Sequence, residues 1–488
     1  MRVLLINPSV GYYTRTMSTP LGLLSISTYL EQFGHRVRLY DRCVDKTKLK
    51  MIIRQFSPEI VGVSVMSSRG IKDAVRISKE IKTLGLTVVW GGQLPSLQLD
   101  LVMQNNFVDI VSFGEGEETW AELLDCFSGK KSLADVLGIA YKKDGKVVQN
   151  PCRPFIDLRK LPPTDWSLVD VPKYMQQYLG CKKMMYLYSS KGCPGRCAFC
   201  PNINYHKSTH RDRPNEQVVA EIKYLKEHYG LDGVYFSDEV WRISRSEMQD
   251  FCCRIKEVGQ PFQWGVDLRV GIFNEEDYRM MYDAGCRWIF FGIESGSREM
   301  HRRMHKNIPY EKIKPTVELL NRIGFTTMAS FIVGFPDETE DQLRETTNMI
   351  NELPLGLTPI FHFTPLPGTE FYDTLVEQGR YDLPKKLEEL THIVATESLG
   401  TNYSCVPDKD LKVIKNWYIW KSFTNKTAIH DGKSFEFARQ TIVSGLSTIA
   451  MKGVISFFVN GFAALHEFLY VFYYAHMFPK VREKYGLK

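Results

Sequence analysis

The 488-residue chain has no uncharged apolar run of the roughly eighteen to twenty residues that a membrane-spanning helix needs. Its most apolar stretch, Thr441 to Phe478, is broken by Lys452, His466 and Glu467. Blocks of like charge are missing too. The net charge of +6 is spread along the whole length, so no nucleic-acid partner is expected, and the charge is compatible with an anionic substrate and no more. The opening residues turn polar and reach Pro8 too early for a signal peptide, and no small-residue cleavage site follows. The eleven cysteines are odd in number and mostly solitary, which argues against a disulfide framework and for a reducing cytoplasm. Cys43, Cys126, Cys152, Cys181, Cys252, Cys253, Cys286 and Cys405 read as buried small hydrophobes. With 44% hydrophobic and 24% charged residues, nothing suggests disorder, and the length suits several globular domains.

One group of cysteines differs. Cys193-Pro194-Gly195-Arg196-Cys197-Ala198-Phe199-Cys200 has the spacing Cys-x3-Cys-x2-Cys and follows a strand-like run directly. A short loop with three thiolates can bind three irons of a cubane [4Fe–4S] cluster, and the missing fourth local cysteine leaves one iron for an exogenous ligand. The competing reading is a zinc site completed by His206 or His210, although such sites usually pair Cys-x2-Cys with a second Cys/His pair at a set distance.

Around this loop the chain alternates strands and helices. Over residues 1–145, β-branched runs at Val3–Ile6, Arg36–Tyr40, Ile60–Ser64, Thr87–Trp90 and Ile110–Ser112 are separated by helical patterns such as Leu21–Phe33 and Gly70–Leu84. Parallel neighbours need crossover connections, so the fold class is α/β and this unit is Rossmann-like. Ligands of such sheets bind beyond the carboxyl ends of the strands. Those ends carry Asn7, Ser64, Ser67, Gly91, Gly92, Gly114, Glu115 and Gly116. Glycines there let backbone approach a large ligand and small hydroxyls donate without bulk, although tight strand-to-helix turns explain each segment taken singly.

Residues 146–182, rich in proline, read as a linker. Alternation resumes over 183–375, with strands expected at Met185–Ser189, Gly233–Ser237, Gln263–Leu268, Trp288–Gly292, Thr327–Gly334 and Ile360–Thr364. Six such repeats describe most of a TIM barrel. The pattern over 376–488 is mostly helical.

The ends of the later barrel strands carry Ser237-Asp238-Glu239, Asp267-Leu268-Arg269, Gly292-Ile293-Glu294-Ser295-Gly296, Phe331-Ile332-Val333-Gly334-Phe335-Pro336 and Thr364-Pro365-Leu366-Pro367-Gly368. In this order, after the cysteine loop, they resemble the radical S-adenosylmethionine (SAM) enzymes, whose core is a partial (β/α)6 barrel. Upstream, Asn7-Pro8, Pro20-Leu21-Gly22-Leu23-Leu24, Gly91-Gly92 and Gly114-Glu115-Gly116-Glu117 resemble the cobalamin-binding domain of the B12-dependent branch of that family.

The resemblance implies that Cys193, Cys197 and Cys200 hold the [4Fe–4S] cluster and that Phe199 shields it. It implies that Asp238 and Glu239 accept from the SAM amino group, which needs acceptors. Arg269 would clamp the SAM carboxylate while Asp267 takes a ribose hydroxyl. Glu294 would lie near SAM, because a buried carboxylate without partners is costly. Backbone beside Gly334 would read the adenine edge, with Ile332 or Val333 as its apolar wall. A helix cap for Asp238 or Glu239 and a rim ion pair between Asp267 and Arg269 are the plainer alternatives. The Asp-x-His-x-x-Gly motif, which supplies the lower cobalt ligand in methionine synthase and the mutases, is absent. No protein histidine is therefore expected on cobalt, and His35 reads as a helix-end residue.

As a function, the resemblance implies reductive cleavage of SAM to a 5′-deoxyadenosyl radical that attacks an unactivated carbon, most commonly for methyl transfer through methylcobalamin. Oxidation, cyclisation or rearrangement, as in the anaerobic cyclase of bacteriochlorophyll biosynthesis, is the alternative outcome. A non-catalytic iron–sulfur redox sensor is a remote one, and would need only the cysteines. An electron donor such as flavodoxin or ferredoxin is implied as a partner. The apolar segment near the C-terminus is expected to form a lid or helical hairpin over a small hydrophobic or aromatic substrate, with a monotopic membrane contact as the alternative.

Overall fold

The computed structural model describes residues 1–10, 18–66, 68–392, 400–424 and 462–487. Ser67 lies outside the described residues, as do residues 441–461 of the apolar segment, with Lys452.

Seven strands form the first sheet: β1 (Arg2–Asn7), β2 (Arg36–Asp41), β3 (Ile60–Ser64), β4 (Thr87–Gly91), β5 (Ile110–Ser112), β6 (Ile139–Lys143) and β7 (Lys146–Gln149), in the order β2-β1-β3-β4-β5-β6-β7. The first five are parallel, while β6 and β7 add an antiparallel edge. Val3 to Ile6 and Ile60, Val61 and Val63 are buried on both faces, as parallel strands covered by helices on each side require. The chain passes from β1 outward to β2 and then reverses to β3. That reversal leaves a crevice at the carboxyl ends of β1 and β3.

The second sheet contains β8 (Gln176–Tyr178), β9 (Cys181–Leu187), β12 (Gly233–Phe236), β13 (Gln263–Leu268), β14 (Cys286–Glu294), β15 (Thr326–Val333) and β16 (Ile360–His362), in the order β16-β15-β14-β13-β12-β9-β8. A small hairpin of β10 (Ser190–Lys191) and β11 (Arg211–Asp212) brackets the cysteine loop. Six strands of the large sheet are parallel, β8 runs antiparallel to β9, and β16 and β8 are the two edges, so the sheet is a curled half-barrel. Strand periodicity sets its two faces. On β15, Ala329, Phe331 and Val333 enter the core beneath the outer helices, whereas Met328 joins Tyr235 and Trp288 in the interior.

The stretch 146–182 holds β7, β8 and three short 3-10 turns. It is pinned to the half-barrel by Trp166, 1% exposed, whose indole N–H donates to Glu221 at 3.0 Å. Of the solitary cysteines, Cys181, Cys252 and Cys286 are buried, but Cys152, Cys253 and Cys405 are exposed. Adjacent positions on a helix point about 100° apart, so Cys252 can face the core only by turning Cys253 outward.

At the C-terminal end, the helix Phe462–His476 packs on the helix Asp408–Thr424. Residues beyond it bind the outer helix Glu340–Glu352: Thr347 donates to Tyr485 O at 2.8 Å and Asn351 to Gly486 O at 2.7 Å. These last residues therefore brace the outside of the half-barrel. Among the described residues no helix is long and apolar enough to cross a membrane.

Candidate active site

A cavity of ≈ 360 Å³ is lined on one side by Asn7, Ser64, Gly91, Gly92, Gly114 and Gly116 at the strand ends of the first sheet and on the other by Lys191 of the small hairpin, by Tyr205 and His206, and by Glu239 beyond β12. Gly22, Gly62, Gly91, Gly92, Gly114 and Gly116 leave parts of its wall as bare backbone. Gly92 has φ +102°, and a Cβ there would lie 2.9 Å from Val65 O, so the turn closes only with glycine. At Gly114 a Cβ would meet nothing within 4 Å. Asn7 is held by Asp41, to which it donates at 2.9 Å, and Asp41 also accepts from Tyr174 at 2.9 Å.

Glu115 lines the cavity and also ties together the elements around it. It accepts from Arg211 at 2.7 and 3.1 Å and from the Ile156 N–H at 2.9 Å, so its oxygens join the first sheet to the small hairpin and to the connecting stretch. Lys191 completes this junction, 3.5 Å from Glu115 and 3.1 Å from Glu117. Burial works against the Lys191 charge, but Glu117, Tyr188 and Glu115 more than offset it and hold its pKa above the ordinary lysine value. Burial likewise opposes the Glu115 charge, and Lys191 and Arg211 still keep its carboxyl below the usual range.

The cysteine loop leaves β10 at the mouth of the half-barrel. Cys193, Cys197 and Cys200 are all free and partly exposed. The Gly195 N–H donates to Cys193 Sγ at 3.4 Å, Asn202 fixes Cys193 O at 3.0 Å, and Ala198 N–H bonds Met304 O at 2.8 Å. Burial pushes the Cys200 thiol up to about 11 and raises Cys197, for which Lys306 and Arg269 act in the opposite direction. Among the described residues no three His, Cys, Asp or Glu side chains converge on a single ion. Three thiols spread round a loop suit a cubane, where each serves a different iron. The histidines of the zinc alternative have partners of their own: His206 Nε2 faces Glu239 at 3.2 Å and His210 Nε2 lies 3.0 Å from Val240 O.

The carboxylates at the strand ends separate into distinct environments. Asp238, 2% exposed, accepts from Ser189 N–H at 2.8 Å and from the Ser189 and Ser190 hydroxyls at 2.6 and 2.8 Å, which fixes the start of the cysteine loop. Glu239 alone of the pair lines the cavity. Neither caps the following helix, whose N-cap is Ser244. Asp267 accepts from the Tyr235 hydroxyl at 2.5 Å, and burial raises its pKa to about 7. Arg269 reaches the other way, donating to Asn307 O at 2.6 Å with a guanidinium nitrogen 2.8 Å from the point where a Gly195 Cβ would stand.

Glu294 is buried against Lys306 at 3.0 Å and Ser330 at 3.2 Å. A Cβ on Gly292 would lie 2.4 Å from its Oε1, so Gly292 makes the room for it. Gly334 donates to Glu338 at 2.7 Å, and that fully buried carboxyl is raised to about 7 by desolvation. Of the two candidates for an apolar wall, Ile332 packs with Phe199 and Phe335, whereas Val333 belongs to the outer core.

Residues 187–350 match the Radical SAM superfamily, and residues 13–124 match the B12 binding domain. An uncharacterized methyltransferase of Pyrococcus horikoshii is 30% identical over 384 residues, which span 76% of this chain and 83% of the relative. The chain belongs to the cobalamin-dependent radical SAM enzymes. An anaerobic magnesium-protoporphyrin IX monomethyl ester cyclase of Rubrivivax gelatinosus is 27% identical over 394 residues, covering 77% of this chain and 70% of the cyclase. In fold, the chain is similar to the radical SAM methyltransferase TsrM of Kitasatospora setae, solved with cobalamin and a [4Fe–4S] cluster, with a TM-score of 0.67 at 20% identity over 77% of this chain and 78% of that one.

As a cobalamin-dependent radical SAM enzyme, the chain uses a [4Fe–4S] cluster, SAM and cobalamin. The donor set fits them: three thiols on one loop beside two cations, and a glycine-lined cavity edged by Ser25, Ser64 and Ser112, which suits a broad ligand carrying many amides. Lys191, Tyr205, Arg211, Tyr235, Lys306 and Ser330 were not legible as site residues, because each is brought in by a loop or strand whose neighbours are set only by folding. In the sequence His206 reads only as a zinc ligand.

Proposed function

We propose that this radical SAM enzyme methylates an unactivated carbon of a small, apolar or aromatic substrate, with residues 1–145 holding cobalamin and Cys193, Cys197 and Cys200 the cluster. The observation that carries the reading is a cavity lined jointly by the carboxyl ends of the first sheet and by the mouth of the half-barrel. When bound, the cluster and SAM supply one-electron activation of a carbon–hydrogen bond, and cobalamin supplies a methyl carrier.

The chain's own groups divide the work of binding. Glu239, exposed at the cavity, accepts from the SAM amino group, while Asp238 holds the loop behind it. Arg269 and Lys306 present positive charge beside the cysteine loop and suit the SAM carboxylate. Lys306 also neutralises Glu294, which keeps a second lone pair on each oxygen for a ribose hydroxyl. Backbone at Gly334 and the side chain of Ile332 offer an edge and a wall to adenine. A flavodoxin or ferredoxin serves as electron donor.

The deciding experiment is anaerobic reconstitution of the full chain with cluster, hydroxocobalamin, reductant and SAM bearing a trideuterated methyl group. A product heavier by one trideuteromethyl group supports methylation. A product that has lost hydrogen without gaining that group supports the second reading, oxidation or ring closure, which the likeness to the Rubrivivax cyclase favours.

A further inference from the structure

The segment that carries the third cluster cysteine also touches the first sheet. Cys200 runs directly into the short helix Asn202–Tyr205, which packs against the helix Gln93–Leu97 that follows Gly92. The Tyr205 hydroxyl reaches to 3.4 Å from Gly114 O. His206 comes next, 6% exposed, edge-on to the Tyr205 ring at 4.8 Å and flanked by Phe155 at 6.1 Å. Its Nε2 lies 3.2 Å from one Glu239 oxygen. The other Glu239 oxygen accepts the N–H of Gly192, the residue before Cys193, at 2.8 Å. Tyr205, His206 and Glu239 all line the cavity. One imidazole thus stands between the Gly114 turn and the acid that faces the cluster loop.

We propose that His206 is a positioning residue that couples the two cofactor sites. Cobalamin seated on the Gly114 turn fixes Tyr205 and His206, and His206 then holds Glu239 in the orientation that receives the SAM amino group. Each cofactor tightens the other, by the same factor in both directions, because the coupling is a property of the pair. The inference rests on the placement of Glu239 beside SAM proposed above.

The test uses the full chain loaded with its cluster and kept without reductant or substrate, so that its outcome does not depend on whether the reaction is methylation. Hydroxocobalamin is titrated by visible absorption with and without saturating SAM, and SAM by equilibrium dialysis with and without hydroxocobalamin. The expected coupling is about tenfold in both titrations, within the usual range for linked sites. H206F should bring it below about twofold while each cofactor still binds singly. H206Q, which keeps a side-chain N–H within reach of Glu239, should restore most of it. Equal affinities with and without the second cofactor in the unmodified protein overturn the proposal, and so does an undiminished factor in H206F. Equal affinities in the unmodified protein overturn the proposal even if H206F takes up no iron, and H206Q against the unmodified protein then reads the part His206 plays. Failure of SAM to bind at all would instead remove the Glu239 assignment.

Discussion

Lys306 and Glu294 form an ion pair at 3.0 Å inside the half-barrel, joining the loop after the helix Arg298–Arg303 to the end of β14. Both side chains are nearly buried, at 11% and 10% exposure. Such a pair adds little net stability, but either charge left alone is expensive.

K306M should therefore destabilise the protein by about 3–5 kcal/mol, because it strands the Glu294 carboxylate. The double variant E294Q/K306M should recover much of the loss, measured by urea unfolding at pH 7. A K306M variant as stable as the parent would show that Glu294 is discharged by some other means.

Asp267 gives a pH signature. Its pKa is raised to about 7 in the folded chain, with desolvation the largest cause. From about pH 4 to about pH 7 the unfolded chain gives up this proton while the folded one keeps it, so stability falls through that window and levels off above it. D267N has no proton to lose. Its melting temperature relative to the parent should be higher at pH 8 than at pH 5, and a constant difference would contradict the assignment.

Replacing Cys193, Cys197 and Cys200 together by alanine should abolish iron uptake and the broad visible absorption of the cluster. The other eight cysteines offer no comparable loop. Iron analysis after anaerobic reconstitution checks this, and a full complement of iron in the triple variant would disprove the ligand set.

No protein histidine is expected on cobalt, because the Asp-x-His-x-x-Gly motif is absent. His35 stands at the amino-terminal side, with Nδ1 3.3 Å from the Met1 amino group, opposite the strand ends that line the cavity. Electron paramagnetic resonance of the Co(II)-loaded protein should be the same in H35A as in the parent. Loss of nitrogen hyperfine splitting in that variant would count against the reading.

The two sheets and the cysteine loop were open to a reader of the sequence because each rests on local information. Ile60–Ser64, Ile110–Ser112 and Gln263–Leu268 announce themselves by β-branched and apolar runs between amphipathic helices, and the observed strands have those limits. Cys193, Cys197 and Cys200 are legible because their spacing lies within eight residues. The antiparallel edge of β6 and β7 carries no such signal, since Lys142, Lys143 and Lys146 dilute the pattern of an exposed edge.

What each strand-end residue does was decided by the tertiary structure. Sequence places Asp238 beside Glu239 and Glu115 between two glycines, and so offers all of them to ligands. Folding brings Ser189 and Ser190 onto Asp238 and brings Arg211 and Lys191 onto Glu115, across gaps of 49 and 48, and of 96 and 76 residues. Asp238 is withdrawn from the cavity, whereas Glu239 and Glu115 both line it. The reason is electrostatic: a buried carboxylate must find donors or cations, and which ones it finds depends on segments whose separation along the chain says nothing of their proximity in space.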